Sequence, residues 1–295
     1  MFVNNGFTYT EKIDRLGDGR PLSAYLAERY GHSLEGEWLE RIAEGRVLVD
    51  GRRPSPDARL RRGQSVSWAR PPWEEPEVPL DYAVLHEDAH VLAVSKPSGL
   101  PTLPGGGYLE NTLLFRVRQR YPGASPVHRL GRGTSGVVLF AKTAAAAKTL
   151  ERSWREHQVS KIYRALVEGT PAKDAFKVET PIGPVPHPLM GSVHAASPRG
   201  KPARSHVQVL EKREGTSLVE VRIETGRPHQ IRIHLAACGH PLVGDPLYTV
   251  EGVRAAARPG ETGYLLHALR LALPHPATGE TLALEAPPPP ELRTS

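Results

Sequence analysis

The chain has 295 residues, 39% of them hydrophobic, and a formal net charge of +6, which suits one large core with a small accessory domain and sets it apart from disordered tails. A lone cysteine, Cys238, excludes an intramolecular disulfide framework, and no apolar run reaches the ~18 residues of a membrane span, so the expectation is a soluble, cytoplasmic monomer. Of the 38 basic residues 29 are arginine, the side chain suited to phosphate contacts and base stacking, although a GC-rich coding sequence produces the same bias.

Residues 1–19 read as an N-terminal extension. Residues 20–70 read as a compact α/β module. Leu22, Tyr25, Leu26 and Arg29 fall at helical spacing, and Leu39, Ile42 and Ala43 mark a second amphipathic helix that ends at Gly45. Val47-Leu48-Val49, the pair Asp50-Gly51 and a return through Leu60 to Ser65-Val66-Ser67 predict a hairpin. Arg41, Arg46, Arg52, Arg53, Arg61 and Arg62 would give this module a basic face.

The segment 71–79 is proline-rich, charged and aperiodic, and so predicts a stiff linker. The large domain, 80–290, opens with the apolar run Val91–Val94 leading to Lys96-Pro97-Ser98-Gly99. Ala144, Ala147, Leu150 and Trp154 share one helical face after Thr143, a candidate N-cap. Lys161–Glu168, Ser205–Leu210 and Leu218–Glu224 read as strands, the last alternating apolar and polar residues. Leu269–Leu273 and Leu282–Leu284 predict a closing hairpin, and the tail Pro287–Pro290 a terminus with no core to join. Strands outnumber helices and do not alternate with them, which predicts an α+β domain with a mixed or antiparallel sheet.

The stretch most informative for chemistry is His128-Arg129-Leu130-Gly131-Arg132-Gly133-Thr134-Ser135-Gly136, a polar glycine-rich turn feeding the apolar run Val137–Phe140. Such a loop before a buried strand is a frequent place for catalytic groups. It resembles the signature loop H-R-L-D-x-x-T-S-G of RluA-type RNA pseudouridine synthases, with Gly131 where that family carries its catalytic aspartate. Four further stretches resemble family motifs in the family's order. They are Lys96-Pro97-Ser98-Gly99, Lys161–Gly169, Thr225-Gly226-Arg227-Pro228-His229-Gln230-Ile231-Arg232-Ile233-His234, and Gly239–Tyr248; Leu266-His267-Ala268 follows. The front module, 20–70, is similar to the S-four-type RNA-binding domain that precedes many such synthases.

The resemblance implies isomerisation of uridine to pseudouridine in structured ribosomal or transfer RNA. The base must be extruded from its stack, detached from ribose, turned and rejoined. It assigns the catalytic set to positions 131, 163 and 232, with Tyr163 stacking on the flipped uracil and Arg232 pairing with an acid. His128, Arg129, Arg132, Thr134, Lys96, Arg227 and His229, with Arg46 and Arg52 in the front module, would contact RNA. Arg232 lies in a segment, His229–Cys238, that reads as a short helix burying Ile231, Leu235 and Cys238. Unpaired, its charge would cost about several kcal/mol, so a carboxylate or a phosphate must meet it; Asp88, Glu168 and Asp245 are the candidates.

Gly131 leaves three accounts open: an acid reaches the space from elsewhere, the protein binds RNA without catalysis, or the family's chemistry runs here with another geometry. Metal and nucleotide chemistry find no support. His229 and His234 lie five apart with no cysteine cluster nearby, and Gly105-Gly106-Gly107 lacks the lysine of a phosphate loop. No cofactor and no metal are implied.

Overall fold

The computed structural model describes every residue except Met1, His32, Pro56 and Pro259. The chain divides into two compact units, Met1–Glu75 and Pro76–Ser295.

In the first unit a three-stranded antiparallel sheet, with Ser65–Arg70 between Phe7–Lys12 and Val47–Val49, carries two helices, Leu22–Arg29 and Glu35–Ala43. The Asp50-Gly51 pair has φ of 51° and 75°, the double positive φ of a type I′ hairpin turn, and the Asp50 carboxylate accepts from the Ser65 amide at 2.8 Å. Leu22, Leu26, Ile42, Val47 and Leu60 close the core around Trp38, which meets Trp68 edge-on at 4.9 Å. Leu39 is exposed instead, because the second helix turns Trp38 and Ile42 inward.

Residues 1–19 are not an extension. Phe7–Lys12 pairs with Ser65–Arg70 along its whole length, and Tyr9 stacks on Trp68 at 5.3 Å. An edge strand with one packed face needs few apolar residues, so its sequence reads as loop. The 71–79 segment is likewise partly structured: Glu74–Glu75 pairs with Phe2–Val3, and the buried Glu75 accepts from Asn4 at 2.6 Å.

The second unit is built on a ten-stranded mixed sheet. Its main path runs Ala175–Val178, Ser205–Arg213, Thr216–Ile223, Ser160–Glu168, Leu266–Pro274, Ser135–Ala141, Val91–Lys96, Ala83–Glu87. Neighbours on this path are antiparallel except at one place, where Leu266–Pro274 runs parallel to Ser135–Ala141 through His267 opposite Ser135 and Ala268 opposite Gly136. That junction lays the segment entering Leu266 beside the loop entering Ser135. Gly136 is required there: it has φ of 110°, and a Cβ would stand 2.2 Å from the Ala268 carbonyl oxygen.

The helix Ala144–Arg155 starts where expected, the Thr143 hydroxyl accepting from the Ala146 amide. Its buried face is Ala146, Leu150 and Ser153, and Ala144 is exposed. A helix at Leu113–Arg120, capped by Thr112, escaped the sequence reading because its one buried pair, Leu113 and Val117, is flanked by four arginine and glutamine positions. The helix Gln230–Ala237 is buried on nearly every side, with Cys238 exposed beyond its end. The tail also joins the core. A 3₁₀ turn, Pro290–Leu292, seats Leu292 against Leu166 and Leu218.

Candidate active site

The loop Leu130–Thr134 is positioned through its carbonyls. The buried Lys96 ammonium donates to Arg132 O at 3.1 Å, and to Pro97 O and Leu100 O at 2.9 and 2.7 Å. Ser98 Oγ donates to Gly133 O at 2.7 Å, Thr102 Oγ1 to Leu130 O at 2.9 Å, and the Gly99 amide to Arg132 O at 2.8 Å. The Lys96-Pro97-Ser98-Gly99 turn is therefore a cradle for this loop. Lys96 is 1% exposed and burial draws its pKa down to about 7, so it holds the loop and does not meet RNA.

Two other residues assigned to RNA are also committed to the scaffold. His128 Nε2 accepts from the Leu139 amide at 3.0 Å, and its ring stacks on Trp154 at 5.3 Å. Burial, with Lys161 nearby, lowers its pKa to about 4, which keeps it the neutral acceptor this bond requires. Arg132 donates through Nε to Gly260 O at 2.7 Å and through Nη1 to the Tyr108 hydroxyl at 2.6 Å. It ties the loop to two neighbouring turns.

Opposite the loop, Arg232 is 3% exposed and makes a bidentate pair with Asp245, both bonds at 2.7 Å. Of the three acids considered, Asp245 is the partner, and its Oδ1 also accepts from the Leu247 and Tyr248 amides. Asp88 instead accepts from the His90 and Val91 amides and meets His86 and His275. The Arg232 guanidinium carbon lies 4.1 Å from the Tyr264 ring centre and 4.9 Å from that of Tyr248. The pair is fully desolvated, and removing either member would leave a buried charge unmatched.

His229 caps this helix with φ of 55°. Its Nδ1 is 2.7 Å from the Tyr248 hydroxyl, which donates to His194 O at 2.8 Å. With the phenol proton so used, His229 Nδ1 must be the donor, leaving Nε2 as an acceptor. Burial and Arg232 lower its pKa to about 4. The rest of the motif is support. Gln230 Oε1 accepts from Thr225 Oγ1 and the Arg227 amide, and the buried His234 is fixed by Ser205 and Thr180 O.

Tyr163 enters from the strand Ser160–Glu168 at a register shift between Ile162 and Tyr163 in the pairing with Leu266–Pro274. Such bulges re-aim side chains beside active sites. Burial raises its hydroxyl pKa to about 12, so it presents a neutral aromatic ring.

These elements enclose a cleft of about 120 Å³ whose lining includes Arg129, Gly131, Thr134, Tyr163, Arg227, His229, Arg232 and Tyr264. Of the residues assigned from sequence, the first seven of these are brought together, whereas Lys96, His128 and Arg132 are not among the lining. Arg46 and Arg52 belong to the Met1–Glu75 unit and are exposed. Sequence reasoning missed Tyr264, whose hydroxyl lies 3.3 Å from Thr134 Oγ1. Its one signal was its place, just before the matched Leu266-His267-Ala268. Among the described residues, the lining holds three arginines and no carboxylate. Such a cleft favours an anionic ligand and keeps a planar base between aromatic and apolar walls.

Comparison with known proteins agrees. Residues 90–237 match the family model described as RNA pseudouridylate synthase. An uncharacterised RNA pseudouridine synthase of Synechocystis is 44% identical over 92% of this chain and 94% of its own length. The chain belongs to the RNA pseudouridine synthase family. RNA pseudouridine synthase 5 of Arabidopsis thaliana is 38% identical over 99% of this chain and 95% of its own length. Ribosomal large subunit pseudouridine synthase D of Neisseria meningitidis is 36% identical over 92% and 76%. Among solved structures, human RNA pseudouridylate synthase domain containing 1 superposes with a TM-score of 0.59 at 26% identity, covering 75% of this chain and 89% of that one. The α+β fold read from the order of strands and helices and the RNA-directed isomerase class implied by the motifs are those of the family.

Proposed function

We propose that this chain isomerises uridine to pseudouridine in structured ribosomal RNA, using the cleft between Gly131 and Arg232. The observation that carries the reading is the joint placement of Tyr163, Arg232, Arg129 and Arg227 in one cleft: a platform for the base, a buried anchor, and cations for the backbone. A relative named for the large ribosomal subunit, 36% identical over most of this chain, supports ribosomal RNA as the target.

The Met1–Glu75 unit serves as an S-four-type RNA-binding domain in this reading. Arg46, Arg52, Arg53, Arg61 and Arg62 are exposed on it, while Arg41 instead lies over the Trp38 ring at 4.6 Å. Phosphate contacts by these arginines release counterions, so deleting the unit should flatten the salt dependence of RNA binding. An unchanged slope would remove it from the interface.

The test is a map of pseudouridine across total RNA in cells with and without the gene. A ribosomal position modified only in the gene's presence is the expected result. Full modification everywhere in the deletion, with RNA binding by the purified protein intact, would make it a non-catalytic RNA-binding protein.

A further inference from the structure

The loop around Gly131 closes on one side chain from the segment that enters the strand Leu266–Pro274. A Cβ at Gly131 would lie 3.1 Å from the Tyr264 hydroxyl oxygen, and a Cβ at Gly133 would meet Cζ, Cε1 and Oη of the same ring at 2.8, 2.9 and 3.1 Å. Neither glycine has a positive φ, so space and not backbone conformation demands them. Tyr264 is 4% exposed. Its hydroxyl bonds with Thr134, and its ring lies against Arg232, which Asp245 holds. The phenol oxygen thus stands 3.1 Å from the point where a side chain at position 131 would begin.

We propose that Tyr264 is the catalytic residue of this cleft and replaces the acid absent at Gly131. The assignment rests on the isomerase reading above. A neutral phenol both donates and accepts, and the Arg232 guanidinium lies against its ring at 4.1 Å. As the C1′–N1 bond of uridine breaks, its electron pair goes to N1, and the phenol proton follows it there. The phenolate then faces the electron-poor C1′. After the base turns, a pair from C5 forms the C5–C1′ bond, and the C5 proton passes to Tyr264 Oη. One proton leaves the enzyme and one returns, so no further reactant is needed.

The test compares single-turnover pseudouridine formation by wild type, Tyr264→Phe and Gly131→Asp/Tyr264→Phe, with RNA affinity and thermal midpoint measured beside the rate. The phenol-less single variant should lose at least about a hundredfold in rate, the scale of a proton-transfer group, with affinity and midpoint unchanged. The hydroxyl is the only Tyr264 atom within 4 Å of the Gly131 Cβ position, so its removal in the double variant relieves that contact. The double variant should recover at least about tenfold over the single variant. A Tyr264→Phe rate within about threefold of wild type overturns the proposal, since no acid–base group is that small an effect. Loss of affinity or stability in step with rate makes Tyr264 structural and also overturns it. Absence of pseudouridine from the wild-type protein overturns the isomerase reading itself and this assignment with it.

Discussion

The loop wall of the cleft is held mainly through its main chain, with Arg132 adding two side-chain bonds, whereas the helix wall is held by its side chains. Leu130, Arg132 and Gly133 are fixed through their carbonyls by Thr102, Lys96 and Ser98. Arg232 and His229 are fixed through a guanidinium and an imidazole, by Asp245 and Tyr248. A wall held by backbone keeps its course without a side chain at position 131, where Tyr264 leaves little room for one. A wall held by ion pairs tolerates no change of side chain, because each partner left alone is a buried unmatched charge or dipole.

Changes on the helix wall should therefore cost most. Asp245→Ala leaves the Arg232 cation buried without its partner, and chemical denaturation should show a loss of about 3–5 kcal/mol together with activity. Arg232→Ala should behave alike, and normal pseudouridine formation by it would remove Arg232 from the site. On the loop wall, Lys96→Met removes the donor to three carbonyls but also the cost of burying an ammonium. The net loss should be smaller, about 2 kcal/mol, and a loss equal to that of Asp245→Ala would erase the contrast between the walls.

Acid should act on both walls. Burial holds His128 and His229 near a pKa of about 4 against an ordinary 6.5. Below 6.5 the unfolded chain takes protons that the folded chain refuses until about 4, so stability falls as pH drops through that window. His128→Asn keeps an acceptor for the Leu139 amide and should flatten that fall in a pH series of denaturation curves. An unaltered slope would mean that His128 titrates normally in the folded state. The smallest effect belongs to Ser98→Ala, which removes one of several bonds to the loop and should cost ~1 kcal/mol.

The same distinction explains how much was legible. Five motifs spelled out both walls, since each embeds its own fasteners: the Lys96 turn, the Gln230 helix and the Asp245 turn are all local in sequence. What pairs across the chain was not legible. Asp245 was one of three acids of equal standing until the fold placed it 2.7 Å from Arg232. Tyr264 carries no motif letter of its own, and only the parallel pairing of Leu266–Pro274 with Ser135–Ala141 brings it to Gly131. Lys96, His128 and Arg132 match motifs yet do not line the cleft, because a motif records that a residue matters and not which way it faces. The Phe7–Lys12 strand and the Leu292 tail were missed for a third reason: an edge strand or a single anchor buries too little to leave a pattern.

Bond exchange at C5 of uridine takes place here in a cleft without a carboxylate on its loop. It is tested most directly by incubating the purified wild-type protein with ribosomal RNA carrying tritium at uridine C5 and counting tritium released to water. Tritium release in step with pseudouridine formed, at one or a few positions, is the expected result. Tight RNA binding with no release above background would contradict it.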